Sequence, residues 1–290
     1  MLLNLQKYHR PTNVDQAVTL LRQGAPHTVT LAGGTKLMAS GRRDVEAVVD
    51  LRDLPLSYVR AHKTTLHIGA TTTLQKLADA PGLQHFSSGV LVETAGAVAN
   101  RNIRNAATVG GTVASAGGEN PLLTALLALD AELTVYASEP ATPDESSRCI
   151  PLAGFLNYRE RLLRNGALIT EVRLPLLVGP LGAALASVAR TPRDRPIVCV
   201  IARLELAEGI AANVRLALGG MATVPVRARE AEQLLERKAL SDERMAEAAQ
   251  LAAAGLNPPG DFRGSAAYRQ EMARVLARRA LSMARARAQA

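Results

Sequence analysis

Tryptophan is absent, and aromatic residues make up only 3% of the chain. Base-stacking nucleic-acid surfaces are built from rings, so no nucleic-acid partner is expected. Cysteine is nearly as scarce. Cys149 and Cys199 cannot form a disulfide framework, and a reducing, cytoplasmic setting is expected. Two thiols also fall short of the four ligands of an iron–sulfur cluster or a thiolate zinc site. No stretch of about 18 apolar residues occurs, so no transmembrane segment is expected. Met1–Lys7 lacks the apolar core and small-residue cleavage site of a secretory leader. His9, His27, His62, His67 and His85 show no ligand spacing, and no metal site is expected. No serine sits in a Gly-x-Ser-x-Gly elbow, and no side chain stands out as a catalytic nucleophile. The P-loop and the Gly-x-Gly-x-x-Gly fingerprint are both missing.

What is present describes a globular chain. Its 290 residues are 48% hydrophobic and 21% charged, enough for two domains with a full core. The net charge is +8. Arg263, Arg269, Arg274, Arg278, Arg279, Arg285 and Arg287 share the C-terminal stretch with a single acid, Glu271. That stretch reads either as a solvated basic helix face or as a docking face for an acidic partner.

Periodicity and turn signals give an α+β order. Asn13 with Gln16 predicts a capped helix that Gly24 closes. Strands are expected at His27–Ala32, Ala47–Leu51 and Thr64–Ala70, and helices at Thr73–Asp79 and Gly89–Asn100. Arg101–Glu119 is mostly small residues. A helix over Leu122–Leu129, a strand over Glu132–Tyr136, an exposed loop over Ser138–Ser147 and a strand over Ile169–Leu174 follow. Leu176–Gly182 is a plausible boundary. Beyond it the pattern predicts three strands (Ala183–Ala189, Ile197–Leu206, Asn213–Leu218) and then helices at Arg227–Arg237, Asp242–Ala253 and Ala266–Ala286.

Two glycine pairs carry the chemistry. Ala32-Gly33-Gly34-Thr35-Lys36-Leu37 follows a strand, and Thr108-Val109-Gly110-Gly111-Thr112 repeats the design of a glycine pair flanked by hydroxyls. Paired glycines let backbone N–H groups approach an anion. Either loop alone also fits a tight turn. Together they could grip a pyrophosphate from two sides. Lys36 is either a phosphate-neutralising charge or a solvated one. Arg101 and Arg104 read as cofactor, partner or surface charges.

The two loops, with Arg104-Asn105 before the second, resemble the flavin subunit of the molybdenum hydroxylases, a group that includes the carbon monoxide dehydrogenase medium subunit and the FAD part of xanthine dehydrogenase. Tyr8-His9-Arg10-Pro11-Thr12, Ile68-Gly69-Ala70-Thr71-Thr72-Thr73, Gly260–Arg269 and Val275–Leu281 fit the same group. The resemblance spans almost the whole chain. It implies an FAD-binding domain of the vanillyl-alcohol-oxidase/PCMH type over residues 1–175, in two subdomains (about 1–60 and 61–175), and a small α+β C-terminal domain over 183–290 with a three-stranded sheet plus helices. It also implies FAD contacts at Leu31, Ala32, Gly33, Gly34, Thr35, Lys36 and Leu37. Further contacts fall on Val98, Ala99, Asn105, Thr108, Gly110, Gly111, Thr112, Ala114 and Ile169, with Ser115 continuing the wall beside Ala114. Pro121 stands where relatives carry a ribose-anchoring acid. Glu119 is the substitute, or else an acid complementing a helix N-terminus. Ala167 and Ser187 replace a usual Glu and Lys.

The implied function is electron transfer. Electrons would come from a molybdopterin-containing large subunit through a [2Fe–2S] small subunit to FAD here, and then to a terminal electron acceptor. The alternatives are a stand-alone FAD oxidoreductase and a basic interaction module that has lost flavin.

Overall fold

The computed structural model describes residues 2–136, 147–177, 179–191 and 194–290. The expected loop at 138–147 lies outside the described residues except for its last position. Among the described residues the strands form three sheets. The first holds β1 (Lys7–His9), β2 (Thr28–Leu31) and β3 (Ala47–Asp50), parallel and in the order β1-β3-β2. The second holds β4 (Val59–His62), β5 (Thr65–Gly69), β6 (Glu132–Tyr136), β7 (Ser147–Pro151) and β8 (Leu168–Pro175), in the order β4-β5-β8-β6-β7. The third is antiparallel and is built on β9 (Leu181–Val188), β10 (Val198–Ala207) and β11 (Ile210–Gly219). Two-residue edge strands β12 (Val226–Arg227) and β13 (Lys238–Ala239) extend the expected three-stranded sheet.

The helices are α1 (Val14–Gln23), α2 (Leu74–Ala78), α3 (Val90–Gly96), α4 (Arg101–Ala106), α5 (Val109–Ser115), α6 (Pro121–Ala128), α7 (Leu152–Arg164), α8 (Arg229–Leu235), α9 (Asp242–Ala253) and α10 (Ala266–Gln289). The chain divides into two compact units. One comprises Met1–Leu77, Arg101–Ser115 and Ala131–Leu174, and the other Ala78–Asn100, Ala116–Asp130 and Pro175–Ala290.

The first unit holds the parallel sheet and the five-stranded mixed sheet. Its α1 starts as its sequence dictates: the Gln16 N–H donates to Asn13 Oδ1 at 2.8 Å, and the Thr12 N–H donates back to Gln16 Oε1 at 3.0 Å. Ala17, Val18 and Leu21 of this helix fall on one face and pack with Val49, Leu51, Leu54 and Leu56. The strand β3 is central and wholly buried, as its apolar run requires. In the mixed sheet Leu133, Val135, Val172 and Leu174 point inward while Glu132, Thr134, Glu171 and Arg173 alternate outward.

The second unit stacks α9 and α10 on the face of the third sheet formed by Val198, Val200, Ala202, Leu204 and Leu206. The helix α6 covers the other face, with Thr124 Oγ1 3.6 Å from Cys199 Sγ. All eight residues of α6 are buried, which explains a sequence that is apolar except for Thr124, whose hydroxyl donates to Asn120 O. Asn120 caps it, accepting the Leu123 N–H at 2.9 Å, and Pro121 occupies its first turn.

Candidate functional site

The first glycine segment leaves the parallel sheet at its C-terminal edge, the edge where open α/β sheets bind ligands. Leu31, the last residue of β2, is in register with Asp50 of β3, and its carbonyl accepts the Leu51 N–H at 2.9 Å. Gly33 then passes over the end of α4. A Cβ at this position would lie 1.8 Å from the Ala106 carbonyl oxygen, so only glycine fits. Gly34 has φ +69, the left-handed region open to glycine. The Met38 N–H donates to Gly34 O at 2.9 Å, closing one turn. The five N–H groups from Gly33 to Leu37 find no acceptor among the described residues. They are a row of unspent donors at the start of a turn, which is the chemistry of an anion nest. The Lys36 side chain is exposed beside them.

Beneath this segment lies a polar anchor that sequence reasoning missed. Asp50 is fully buried and accepts from the Tyr8 hydroxyl, from Arg52 Nε at 2.6 Å and from the Arg52 N–H at 3.0 Å. The bond to Asp50, with burial and the Asp50 charge behind it, raises the Tyr8 phenol above its ordinary value. Next to it Arg10 and Asp53 form a two-pronged pair with Nη2–Oδ1 at 2.9 Å and Nε–Oδ2 at 3.0 Å. The available signal was a single acid inside the apolar run Ala47–Leu51.

The second glycine pair is not the loop expected from its composition. Gly110 and Gly111 lie in the first turn of α5, and the donors expected to form a second nest are already used. The Val109 N–H donates to Thr72 O, the Gly110 N–H to Ala70 O (each 2.9 Å) and the Gly111 N–H to the Thr108 hydroxyl at 3.1 Å. Thr108 is therefore an N-cap, and the Thr112 hydroxyl is turned back onto Thr108 O at 3.0 Å. Gly110 is required by close packing, because a Cβ there would sit 2.7 Å from the Ala70 Cβ. Composition suggested free N–H groups, whereas the backbone of residues 70–72 takes them. Asn105 is exposed on α4, Ala114 is half-buried on α5, and Ile169 is buried in β8 opposite Val135. All of these belong to the first unit.

Val98, Ala99 and Glu119 belong to the second unit. Ala99 is exposed and held at φ +49, a costly conformation for alanine. Glu119 precedes the Asn120 cap and pairs with Arg195 at 3.1 Å. Burial pushes its carboxyl up, but its own backbone N–H and Arg195 outweigh that and hold it below the usual value. Among the described residues no group of three or more His, Cys, Asp or Glu could hold a metal ion, and no helix is long and apolar enough to cross a membrane.

A family model described as FAD binding domain in molybdopterin dehydrogenase matches residues 3–177, and one described as CO dehydrogenase flavoprotein C-terminal domain matches residues 183–284. The chain is 32% identical over 275 residues to the uncharacterized protein YgfM of Escherichia coli K12, covering 94% of this chain and 93% of that protein. It is 32% identical over 282 residues to the 6-hydroxypseudooxynicotine dehydrogenase complex subunit alpha of Paenarthrobacter nicotinovorans, covering 95% and 93%. A solved structure of carbon monoxide dehydrogenase from Hydrogenophaga pseudoflava superposes with a TM-score of 0.88 at 29% identity, covering 99% of each chain. An FAD-binding domain at the amino end, a flavoprotein C-terminal domain behind it and near-complete coverage agree with one another: the chain belongs to the family of FAD-binding medium subunits of the molybdenum hydroxylases.

Proposed function

We propose that this chain is the electron-transfer subunit of a cytoplasmic molybdenum hydroxylase. It would assemble with a molybdopterin-containing large subunit and a [2Fe–2S] small subunit and deliver electrons to a terminal acceptor. Its two cysteines are too few to ligate a cluster, so the clusters belong to a partner. FAD, when bound, supplies the junction between one-electron delivery and two-electron reduction of the acceptor.

The observation that carries this reading is the row of unspent N–H donors from Gly33 to Leu37. A pyrophosphate needs such donors, and the residues present fit it. Leu31 and Ala32 bring the chain to that row, and Lys36 adds an exposed positive charge beside it. Thr108, Gly110, Gly111 and Thr112 serve as a packed wall, because the donors of Gly110, Gly111 and Thr112 are engaged and Thr108 accepts from two of them. We assign Asn105 and Ala114 to the same wall, and Val98, Ala99 and Ile169 to apolar contact with the ring systems. Glu119 is already committed to Arg195 and is left outside the set. The functional division is taken as residues 1–175 for FAD and 183–290 for the C-terminal domain.

The protein purified without added cofactor should be yellow and should release FAD on denaturation. Coexpressed with large and small subunits, it should copurify with both and reduce a terminal acceptor only in their company. Colourless protein that takes up no added FAD would overturn the reading.

A further inference from the structure

The C-terminal arginines do not act alike. Arg263 and Arg269 are both held by Asp261 at 2.8 Å. Arg269 is buried and also donates to Ile197 O and Gly220 O, stapling the start of α10 to the sheet. Arg285 pairs with Asp242 at 2.8 Å, and Arg287 donates to Ala183 O at 2.7 Å. Arg274 is engaged with Glu271 on its own helix. Arg278 and Arg279 are exposed and have no acceptor among the described residues. The basic excess of the C-terminal stretch is thus concentrated at one place.

That place is a groove. A cleft of about 430 Å³ runs between α9 and α10, floored by Ala246, Ala249 and Val275 and walled by Arg274, Arg278 and Arg279. The small floor residues leave depth for an incoming side chain, and no acid of α9 lines the cleft. Arg274 is already neutralised by Glu271, so the free charge of the cleft lies on Arg278 and Arg279, which are adjacent on α10.

We propose that this groove docks an acidic segment of a partner polypeptide, one that carries carboxylates interleaved with alanine-sized residues. Charge complementarity is the argument. Two unpaired guanidinium groups flank an apolar floor, an arrangement that favours a carboxylate-bearing chain and repels a basic one. Single-stranded nucleic acid stacks its bases on rings, and none lines the cleft. The site is separate from the flavin reading, and its test needs no bound cofactor.

The test is fluorescence anisotropy with a fluorescein-labelled peptide repeating Glu-Ala-Ala-Ala, at low and at physiological ionic strength. The wild-type chain should bind it. The double variant Arg278→Glu with Arg279→Glu should bind at least about tenfold more weakly. A matched double variant, Arg161→Glu with Arg164→Glu, reverses two exposed charges on α7 and should stay within about twofold of wild type, since distant exposed charges are screened. Circular dichroism and thermal unfolding confirm that both variants fold. No binding by the wild-type chain would overturn the proposal, as would equal loss in the two double variants. A single-stranded oligonucleotide that binds more tightly than the peptide and is lost in the Arg278/Arg279 variant would overturn it too, in favour of nucleic acid.

Discussion

At Gly33 the chain has no room for one more carbon. An added methyl would meet the Ala106 carbonyl at 1.8 Å, and the atoms around it are backbone of Ala106 and Ala107, so nothing flexible can give way. Gly33→Ala should cost about 2 kcal/mol or more through overpacking and should strip flavin from the protein. Gly34→Ala is limited by φ +69 rather than by space, so about 1–2 kcal/mol is expected, with flavin partly retained. Urea unfolding and the visible flavin absorbance of the purified variants check both. Equal behaviour of the two would contradict the contrast between a steric and a conformational requirement. The thiols play no part in this. Cys199 is fully buried and pushed by that burial up to about 12, far from a reactive thiolate.

Among the elements, the mixed sheet depends on one carboxylate. Glu171 of β8 accepts from Tyr58 Oη at 2.7 Å and Arg173 Nε at 2.6 Å, and lies 3.1 Å from His67 Nδ1. Burial pushes this carboxyl up, yet Arg173, Tyr58 and His67 together hold it below its ordinary 4.5. A depressed carboxyl stabilises the fold above its unfolded value, and that stability is lost as the pH falls through the folded value. Glu171→Gln should therefore cost about 2 kcal/mol at neutral pH. The gap from wild type should close as the pH drops below 4.5, read as urea midpoints across an acid series. A gap that persists unchanged in acid would remove Glu171 as the cause. Most elements were legible because their periods are strong. The Asn13–Gln16 cap and the apolar run of α6 are examples. The helices α4 and α5 were not, because Arg101–Ser115 is rich in small residues and glycine, which local preference assigns to loops. The start of α5 is fixed where carbonyls 70 and 72 take up the N–H groups of Val109 and Gly110, a nonlocal contact that no sequence window contains. The helix α7 was overlooked although Leu152, Phe155 and Leu156 give it a buried face. In the site, the first glycine pair was open to two readings, a tight turn or an anion nest, and its N–H groups have no acceptor among the described residues. The second was read by analogy with the first, and its partners lie about forty residues away.

For the molecule as a whole, the net charge of +8 says less than its placement. Most C-terminal arginines hold the fold together, and the remaining unpaired pair marks a docking groove. Cofactor binding should register globally too. With FAD at about a hundred times its dissociation constant, mass action adds about 2.7 kcal/mol, or roughly 4–5 °C in Tm for a chain of this size. A calorimetric scan of apo protein with and without FAD measures this, and no shift would count against a specific site. The burial of α6 carries a consequence in time. Its apolar residues end at Ala128, while the strands it covers run on to Gly219, roughly 90 residues later. At about 5–20 residues per second of synthesis, that helix leaves the ribosome several seconds before its sheet exists. A nascent chain holding seven apolar residues and one threonine without a surface to rest on is a client for holdase chaperones. The yield of this subunit in a cell is thus tied to chaperone supply during translation.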